Sequence, residues 1–275
     1  MNLLRLFQRH RTPAKFPGGR VGYAVGDIHG RSDLLADLFA LLEQRADRDV
    51  RDGGPPIVIF LGDYVDRGPD SAGVLDLLTS ARPAGFERRF LRGNHEQAMA
   101  AFLDQPVANR AWLLQGGAET LLSFGVQPPS PVVADQQEWL DVAQLLRTRM
   151  PARHHAFLNS LERYVELGDY AFVHAGVDDS VALEKQTDEA LYWSRAAFIA
   201  SKRRFSHRVV HGHTPVDQPF IDSRRIAVDT GAYASGTLSA ARFEGEEVSF
   251  LSVTRRAAPA TGIVRPVVAA DVDWG

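Results

Sequence analysis

Cysteine is absent from the 275 residues of the chain. Disulfides and thiolate metal sites are therefore excluded, and any metal must be held by His, Asp, Glu or Asn. Long apolar runs are also missing. None approaches the roughly 20 residues of a spanning helix, so no transmembrane segment is expected. Neither sign of charge dominates: 31 basic residues face 34 acidic ones, a formal net charge of −3. That balance provides no global field for nucleic acid or an anionic membrane. No internal repeat or low-complexity tract is evident. The chain is 45% apolar and 24% charged, enough for a buried core; one large α/β domain is the simplest organisation, two small domains the alternative. This composition fits a cytoplasmic protein.

The most informative stretch is 57–67. Ile57 to Leu61 form an unbroken apolar run between Pro55-Pro56 and Gly62, which reads as a strand buried on both faces. Asp63, Asp66 and Arg67 crowd in directly behind it. Ligands of α/β sheets bind at the carboxyl ends of strands, so such crowding suggests a site, although the stretch taken alone reads equally well as a strand followed by a polar turn. The pattern recurs on both sides. Arg20 to Val25 predicts a strand leading into Gly26-Asp27-Ile28-His29-Gly30, with Ser32 as N-cap of a helix running to about Arg45. Ser71 to Ser80 predicts a helix. Phe86 to Leu91 predicts a strand that stops at Arg92-Gly93-Asn94-His95-Glu96, where another helix begins. This alternation predicts a largely parallel sheet with helices on its faces.

Residues 104–162 carry helical patterns only: Arg110 to Leu114, Ala118 to Phe124, Gln136 to Arg149 and Pro151 to Leu161. They read as a helical insertion or cap. Strand patterns then return. Tyr164 to Leu167 and Tyr170 to Val173 flank Gly168-Asp169, a hairpin turn of type II′ character. Leu191 to Ala200 predicts a helix. Arg208 to Val210 and Arg225 to Val228 predict strands, and Thr237 to Phe243 with Val248 to Val253 a closing hairpin. At the N-terminus, Leu3, Leu4, Leu6 and Phe7 mix with Arg5, Arg9, Arg11 and Lys15. That stretch is too short and too charged for a signal peptide. We read it as a surface extension, the alternative being a basic amphipathic helix that touches a membrane or partner. Arg255 to Gly275, rich in Pro and Ala, reads as an extended tail.

Asp27, His29, Asp63, Asn94, His95, His174 and His213 each follow a predicted strand. Strand ends lie along one edge of a sheet, so these side chains can converge. Oxygen and imidazole donors suit Mn²⁺, Fe or Zn²⁺, and they suffice for two ions if one carboxylate bridges. Each motif alone is weak, because a lone His is more often structural. In order, each at a strand end, they are strong. His211 reads as a strand residue sooner than a group supporting a ligand, His154, His155 and His207 as surface, and Trp112 and Trp193 as packing sooner than substrate platforms.

Gly26-Asp27-Ile28-His29-Gly30, Gly62-Asp63-Tyr64-Val65-Asp66-Arg67-Gly68, Gly93-Asn94-His95-Glu96, Val173-His174-Ala175-Gly176 and Gly212-His213-Thr214 together resemble the signature of the calcineurin-like metallophosphoesterases. Asp66-Arg67-Gly68 is similar to the phosphoprotein phosphatase branch. Trp112 to Gly117, Trp193-Ser194-Arg195 and Asp229-Thr230-Gly231 resemble its bacterial and bacteriophage members, and the C-terminal tyrosine motif of the eukaryotic enzymes is not apparent. The resemblance spans roughly Val21 to Phe243. It implies an α/β fold of two packed mixed β-sheets flanked by helices, over residues 20–254, with a helical cap at about 97–162. An N-terminal extension, 1–19, and the tail, 255–275, fall outside.

It further implies that Asp27, His29 and Asp63 hold one divalent metal and that Asp63, Asn94, His174 and His213 hold a second, manganese first and Fe or Zn as alternatives. His95 matches the general acid, Asp66 the carboxylate orienting it, and Arg67 and Arg195 the phosphate-binding arginines. The implied function is hydrolysis of phosphate monoesters, on phosphoproteins at Ser or Thr, by in-line attack of metal hydroxide. The alternative on the same scaffold is symmetrical cleavage of a dinucleoside tetraphosphate. A catalytically dead binding module should have lost a ligand or the acid, and none is missing. A nuclease should show a basic or aromatic stripe, and none appears.

Overall fold

The computed structural model describes residues 13–130 and 132–255. Most of the N-terminal extension and all of the tail beyond Arg255 lie outside the described residues. In chain order come β1 (Val21–Val25), α1 (Ser32–Glu43), β2 (Ile57–Phe60), α2 (Ser71–Thr79), β3 (Glu87–Phe90) and α3 (Asn94–Asp104). A helical stretch follows: a 3-10 segment at Arg110–Gln115, α4 (Gly117–Ser123), α5 (Gln136–Arg149) and α6 (Ala152–Asn159). Then come β4 (Val165–Leu167), β5 (Tyr170–Phe172), α7 (Asp188–Trp193), α8 (Ala196–Ala200), β6 (Arg208–His211), β7 (Phe220–Ile221), β8 (Arg225–Ala227), α9 (Ala232–Ser235), β9 (Thr237–Glu244) and β10 (Glu247–Thr254). No helix among the described residues is long and apolar enough to cross a membrane.

The strands form two five-stranded sheets, ordered β10-β9-β1-β2-β3 and β4-β5-β6-β8-β7. Parallel pairing holds for β1-β2-β3 and for β5-β6-β8. Hairpin partners add antiparallel strands, β9 and β10 in the first sheet and β4 and β7 in the second. The sheets are thus mixed, as the family resemblance implied and βα alternation alone did not.

β2 explains the layering. Its side chains alternate: Val58 and Phe60 join Leu34, Leu38, Val74 and Leu78 of the helical face. Ile57, Ile59 and the following Leu61 join Phe172, Val210 and Ile226 of the facing sheet. Both faces are buried, which is why the run is continuously apolar. Each such side chain stabilises the fold by roughly 1.5–3 kcal/mol. On β1 the sheet-facing position Gly22 leaves room for Phe16, whose ring packs among Tyr170, Phe172 and Phe243. Trp112, Leu121, Trp139, Leu146 and Phe157 share the core of α1 and α2, so the helical stretch is packed onto the sheet's helical face.

Three local expectations differ. The helix read at Leu191 to Ala200 is broken between α7 and α8 at Ser194-Arg195. Arg195 adopts φ −132°, ψ −95°, off the helical path, and so swings its guanidinium toward the site. Ser32 is the first residue of α1 and not its N-cap; its hydroxyl bonds Asp70 Oδ2 instead. His154 is buried rather than on the surface. Its ring lies edge-on to Phe124 and its Nε2 contacts Asp76 Oδ1 at 2.7 Å, an inward face that the polar sequence of α6 does not reveal.

Candidate metal centre

The loops after β1, β2, β3, β5 and β6 meet where the carboxyl ends of both sheets converge. Among the described residues, the non-glycine positions with positive φ are His29, Asp63, Asp66, Arg67 and His213, all in these loops. Left-handed backbone costs roughly 1–2 kcal/mol per residue for side chains with a Cβ. Such strain persists only where the surroundings enforce it, and it clusters at functional sites. Glycines let the loops touch. A Cβ on Gly93 would lie 2.1 Å from Asp63 Oδ1, and one on Gly212 2.1 Å from Asp27 Oδ1. Glu96 fastens the β2 loop, accepting from the backbone N–H groups of Gly93, Asp63, Tyr64 and Val65 at 2.8–3.2 Å. Burial and the charge of Asp63 push its carboxyl up to about 7. The sequence motif includes Glu96 without assigning it a role; its position at N3 of α3 is the available signal.

Asp63 lies at the centre with its oxygens facing opposite ways. Oδ1 is 3.4 Å from His174 Nε2, and Oδ2 is 3.4 Å from His29 Nε2 and 4.0 Å from His95 Nε2. On the Oδ1 side, His174 Nε2 is 2.9 Å from Asn94 Oδ1 and 3.2 Å from His213 Nδ1. A tetrahedron of ligands about 2.1 Å from one ion has edges of about 3.4 Å, so these four donors are spaced to share an ion. The imidazoles are preset. His174 Nδ1 donates to Leu61 O at 2.8 Å and His29 Nδ1 to Val65 O at 2.9 Å, which leaves each Nε2 lone pair facing the centre. Burial keeps both rings neutral, lowering His29 to about 3 and His174 below its ordinary value. Burial opposes ionisation of Asp63 as well, but the ring of imidazoles around it and the His95 backbone N–H, which donates to Oδ1 at 3.1 Å, prevail and hold the carboxyl below its ordinary value.

Asp27 accepts the backbone N–H of His213 at 3.0 Å. Burial, then the charges of Asp229 and Asp63, raise its pKa well above the ordinary carboxylate value. Asp229, buried beside it, is pushed up to about 6, chiefly by burial. Crowded buried carboxylates call for a cation, and oxygen and imidazole donors fit a hard or borderline divalent ion. The groups of carboxylate and imidazole atoms that lie tightest are His29, Asp63 and His95 on one side, and Asp63, His174 and His213 on the other. His95, read from sequence as the acid and not a ligand, therefore falls in one group with His29 and Asp63, and Asp27 falls in neither. Asp229 joins the site although the sequence offers its motif only as a family likeness.

His95 Nδ1 contacts Asp66 Oδ2 at 2.7 Å. Burial disfavours the imidazolium, but Asp63 and the bond to Asp66 prevail and raise its pKa. Arg67 follows Asp66 and reaches His29 Nε2 with one guanidinium nitrogen at 3.1 Å, its plane over the Tyr233 ring. Arg195 Nε donates to His213 Nε2 at 2.8 Å. Both arginines line a cleft of about 890 Å³, together with Asn94, His95 and His213. Leu114 and Tyr233, 77% and 39% exposed, form an apolar part of its wall. His211 belongs elsewhere: it is a buried strand residue that accepts from Arg225. Trp193 packs beside the cleft and donates to Gln97 Oε1.

Two donor groups sharing one carboxylate, beside two guanidinium groups in an open cleft, define a centre suited to a metal-held oxyanion. The sequence places that centre in a known family: residues 23–244 match the model for calcineurin-like phosphoesterases, and the chain belongs to that family. It is a hydrolase. Serine/threonine-protein phosphatase 2 of Salmonella typhimurium is 29% identical over 79% of this chain and 90% of its own. The asymmetrical bis(5'-nucleosyl)-tetraphosphatase PrpE of Bacillus velezensis is also 29% identical, over 82% and 90%. Among solved structures, a diadenosine tetraphosphatase described as putative superposes with a TM-score of 0.56 at 19% identity, over 86% of this chain and 94% of that one. A cold-active protein tyrosine phosphatase mutant gives 0.58 at 18% identity, over 88% and 82%. These two likenesses establish the two-sheet fold.

Proposed function

We propose that this hydrolase cleaves phosphate monoesters of phosphoproteins at serine or threonine. The observation that carries the reading is the buried Asp66–His95 pair on the flank of the cleft, with Arg67 on the same turn. A serine or threonine alkoxide is a poor leaving group and needs a proton, whereas the phosphate leaving group of an anhydride does not. In this reading Asp27, His29 and Asp63 hold one divalent ion and Asp63, Asn94, His174 and His213 the other, with manganese as the expected metal. Such a pair, when bound, supplies Lewis-acid neutralisation of the phosphate and an activated water. Arg67 and Arg195 orient the phosphate and offset its charge. His95 delivers the proton to the leaving oxygen, and Asp66 holds its ring. We take 20–254 as the catalytic unit with its cap at about 97–162, and the cytoplasm as its compartment.

A second reading is cleavage of a dinucleoside tetraphosphate. It is favoured by the PrpE relatives and by the apolar wall at Leu114 and Tyr233, against which a nucleobase can stack. Those relatives are named for asymmetrical cleavage, not the symmetrical cleavage weighed from the sequence. The test is kcat/KM of the manganese-reconstituted protein on a phosphopeptide panel and on diadenosine tetraphosphate. We expect the phosphopeptides to be preferred. Efficient cleavage of the dinucleotide with weak action on peptides would replace the first reading by the second, and AMP plus ATP, against two ADP, would identify the bond cut.

A further inference from the structure

Asp66 is fully buried and receives far more than His95. Trp112 Nε1 donates to the same oxygen, Oδ2, at 2.7 Å. Thr120 Oγ1 donates to Oδ1 at 2.6 Å and accepts the Asp66 backbone N–H at 2.9 Å. Ser71 Oγ accepts that N–H too, at 3.0 Å, and lies 2.9 Å from Thr120 Oγ1. Asp66 is also one of the residues with left-handed backbone, φ +74°. The next residue is held from the same side, since the Arg67 N–H donates to Gly116 O at 3.1 Å. Trp112, Gly116 and Thr120 all lie in one segment of the helical stretch. A Cβ at Gly116 would fall 2.6 Å from Arg67 N, and at Gly117 2.5 Å from the Trp112 indole. The Gly-Gly pair thus allows one segment to close on both residues.

We infer that Trp112 and Thr120 are positioning residues for proton transfer, clamping Asp66 so that His95 presents its Nε2 to the leaving oxygen. The inference rests on the reading of His95 as the acid. The indole N–H gives Asp66 Oδ2 a second donor, so the carboxylate cannot rotate without losing both bonds. Thr120 fixes the other oxygen and, by its second bond, the strained peptide itself. Packing alone explains a buried Trp, but not an indole N–H aimed at the one carboxylate that holds the acid. Neither side chain bonds to the guanidinium of Arg67 or Arg195 among the described residues, so loss of either donor should spare substrate binding.

The test uses manganese-loaded Trp112→Phe, which keeps an aromatic ring, and Thr120→Val, which keeps the shape; both remove the donor, with Thr120→Ser as the conservative control. Each is assayed on phenyl phosphate, a poor leaving group, and p-nitrophenyl phosphate, a good one. Trp112→Phe and Thr120→Val should each lower kcat on phenyl phosphate about tenfold, a fraction of the roughly 10²–10⁴-fold that acid catalysis supplies. On p-nitrophenyl phosphate kcat should fall less than threefold, with KM and metal content unchanged, and Thr120→Ser should restore the phenyl rate. In a His95→Asn background, Trp112→Phe should cost nothing further, because coupled residues are not additive. Equal losses on both substrates, or full additivity with His95→Asn, would overturn the inference. If His95→Asn itself loses equally on both substrates, the acid reading fails instead. Should Trp112→Phe melt early, the Thr120 variants alone decide.

Discussion

Asp63 is the residue on which both donor groups depend, one oxygen to each side. Asp63→Asn replaces one oxygen by an amide nitrogen and removes the negative charge. We expect bound metal, measured by elemental analysis, to fall together with turnover; a variant that retained two ions and its rate would remove Asp63 from the bridging role. Residues of this kind are legible in the sequence because each follows a strand and sits in a short motif. Glu96, Asp229, Trp112 and Thr120 are not legible as site residues. The bonds of Trp112 and Thr120 to Asp66 span 46 and 54 positions of sequence, and no local pattern encodes such a contact. His154 departs from its surface reading for a related reason: a helix with few apolar residues does not announce which face turns inward.

At the scale of elements, strands are the most readable parts. β2 lies between two apolar layers and so advertises itself by composition, whereas the two residues of β7 leave no pattern at all. The break between α7 and α8 is hidden because Ser194-Arg195 contains neither Gly nor Pro, and its conformation answers to the site. β1 offers a test of sheet packing. A Cβ at Gly22 would lie 2.2 Å from Phe16 Cζ, inside a cage made by Tyr170, Phe172 and Phe243. Gly22→Ala should therefore cost about 1–3 kcal/mol through overpacking. Urea unfolding measures it, and Phe16→Leu in the same chain should return part of the loss. An unchanged midpoint for Gly22→Ala would mean that the Phe16 ring moves freely.

For the molecule as a whole, one buried histidine ties stability to pH. His211 is buried outside the site, and burial lowers its pKa from 6.5 to about 4. The unfolded chain then binds a proton between those values that the folded chain refuses, so stability is retained above pH 6.5 and lost as pH falls toward 4. One pKa unit corresponds to about 1.4 kcal/mol, so His211 alone should withdraw on the order of 2 kcal/mol by pH 5. Urea midpoints from pH 7.5 to 4.5 should fall more steeply for the wild-type protein than for His211→Gln, and parallel curves would refute this. The pairing of β1 has a different consequence. Its second neighbour in the first sheet is β9, at Thr237–Glu244, beyond the entire second sheet in sequence. On a ribosome, β1 and β2 can join early, but the outer edge of β1 stays open until the far end of the chain emerges. Such an unpaired, hydrophobic edge is a template for joining the wrong strand. Synthesis that stalls before Thr237 therefore leaves a nascent chain in need of a chaperone, however many of the candidate site's side chains it already carries.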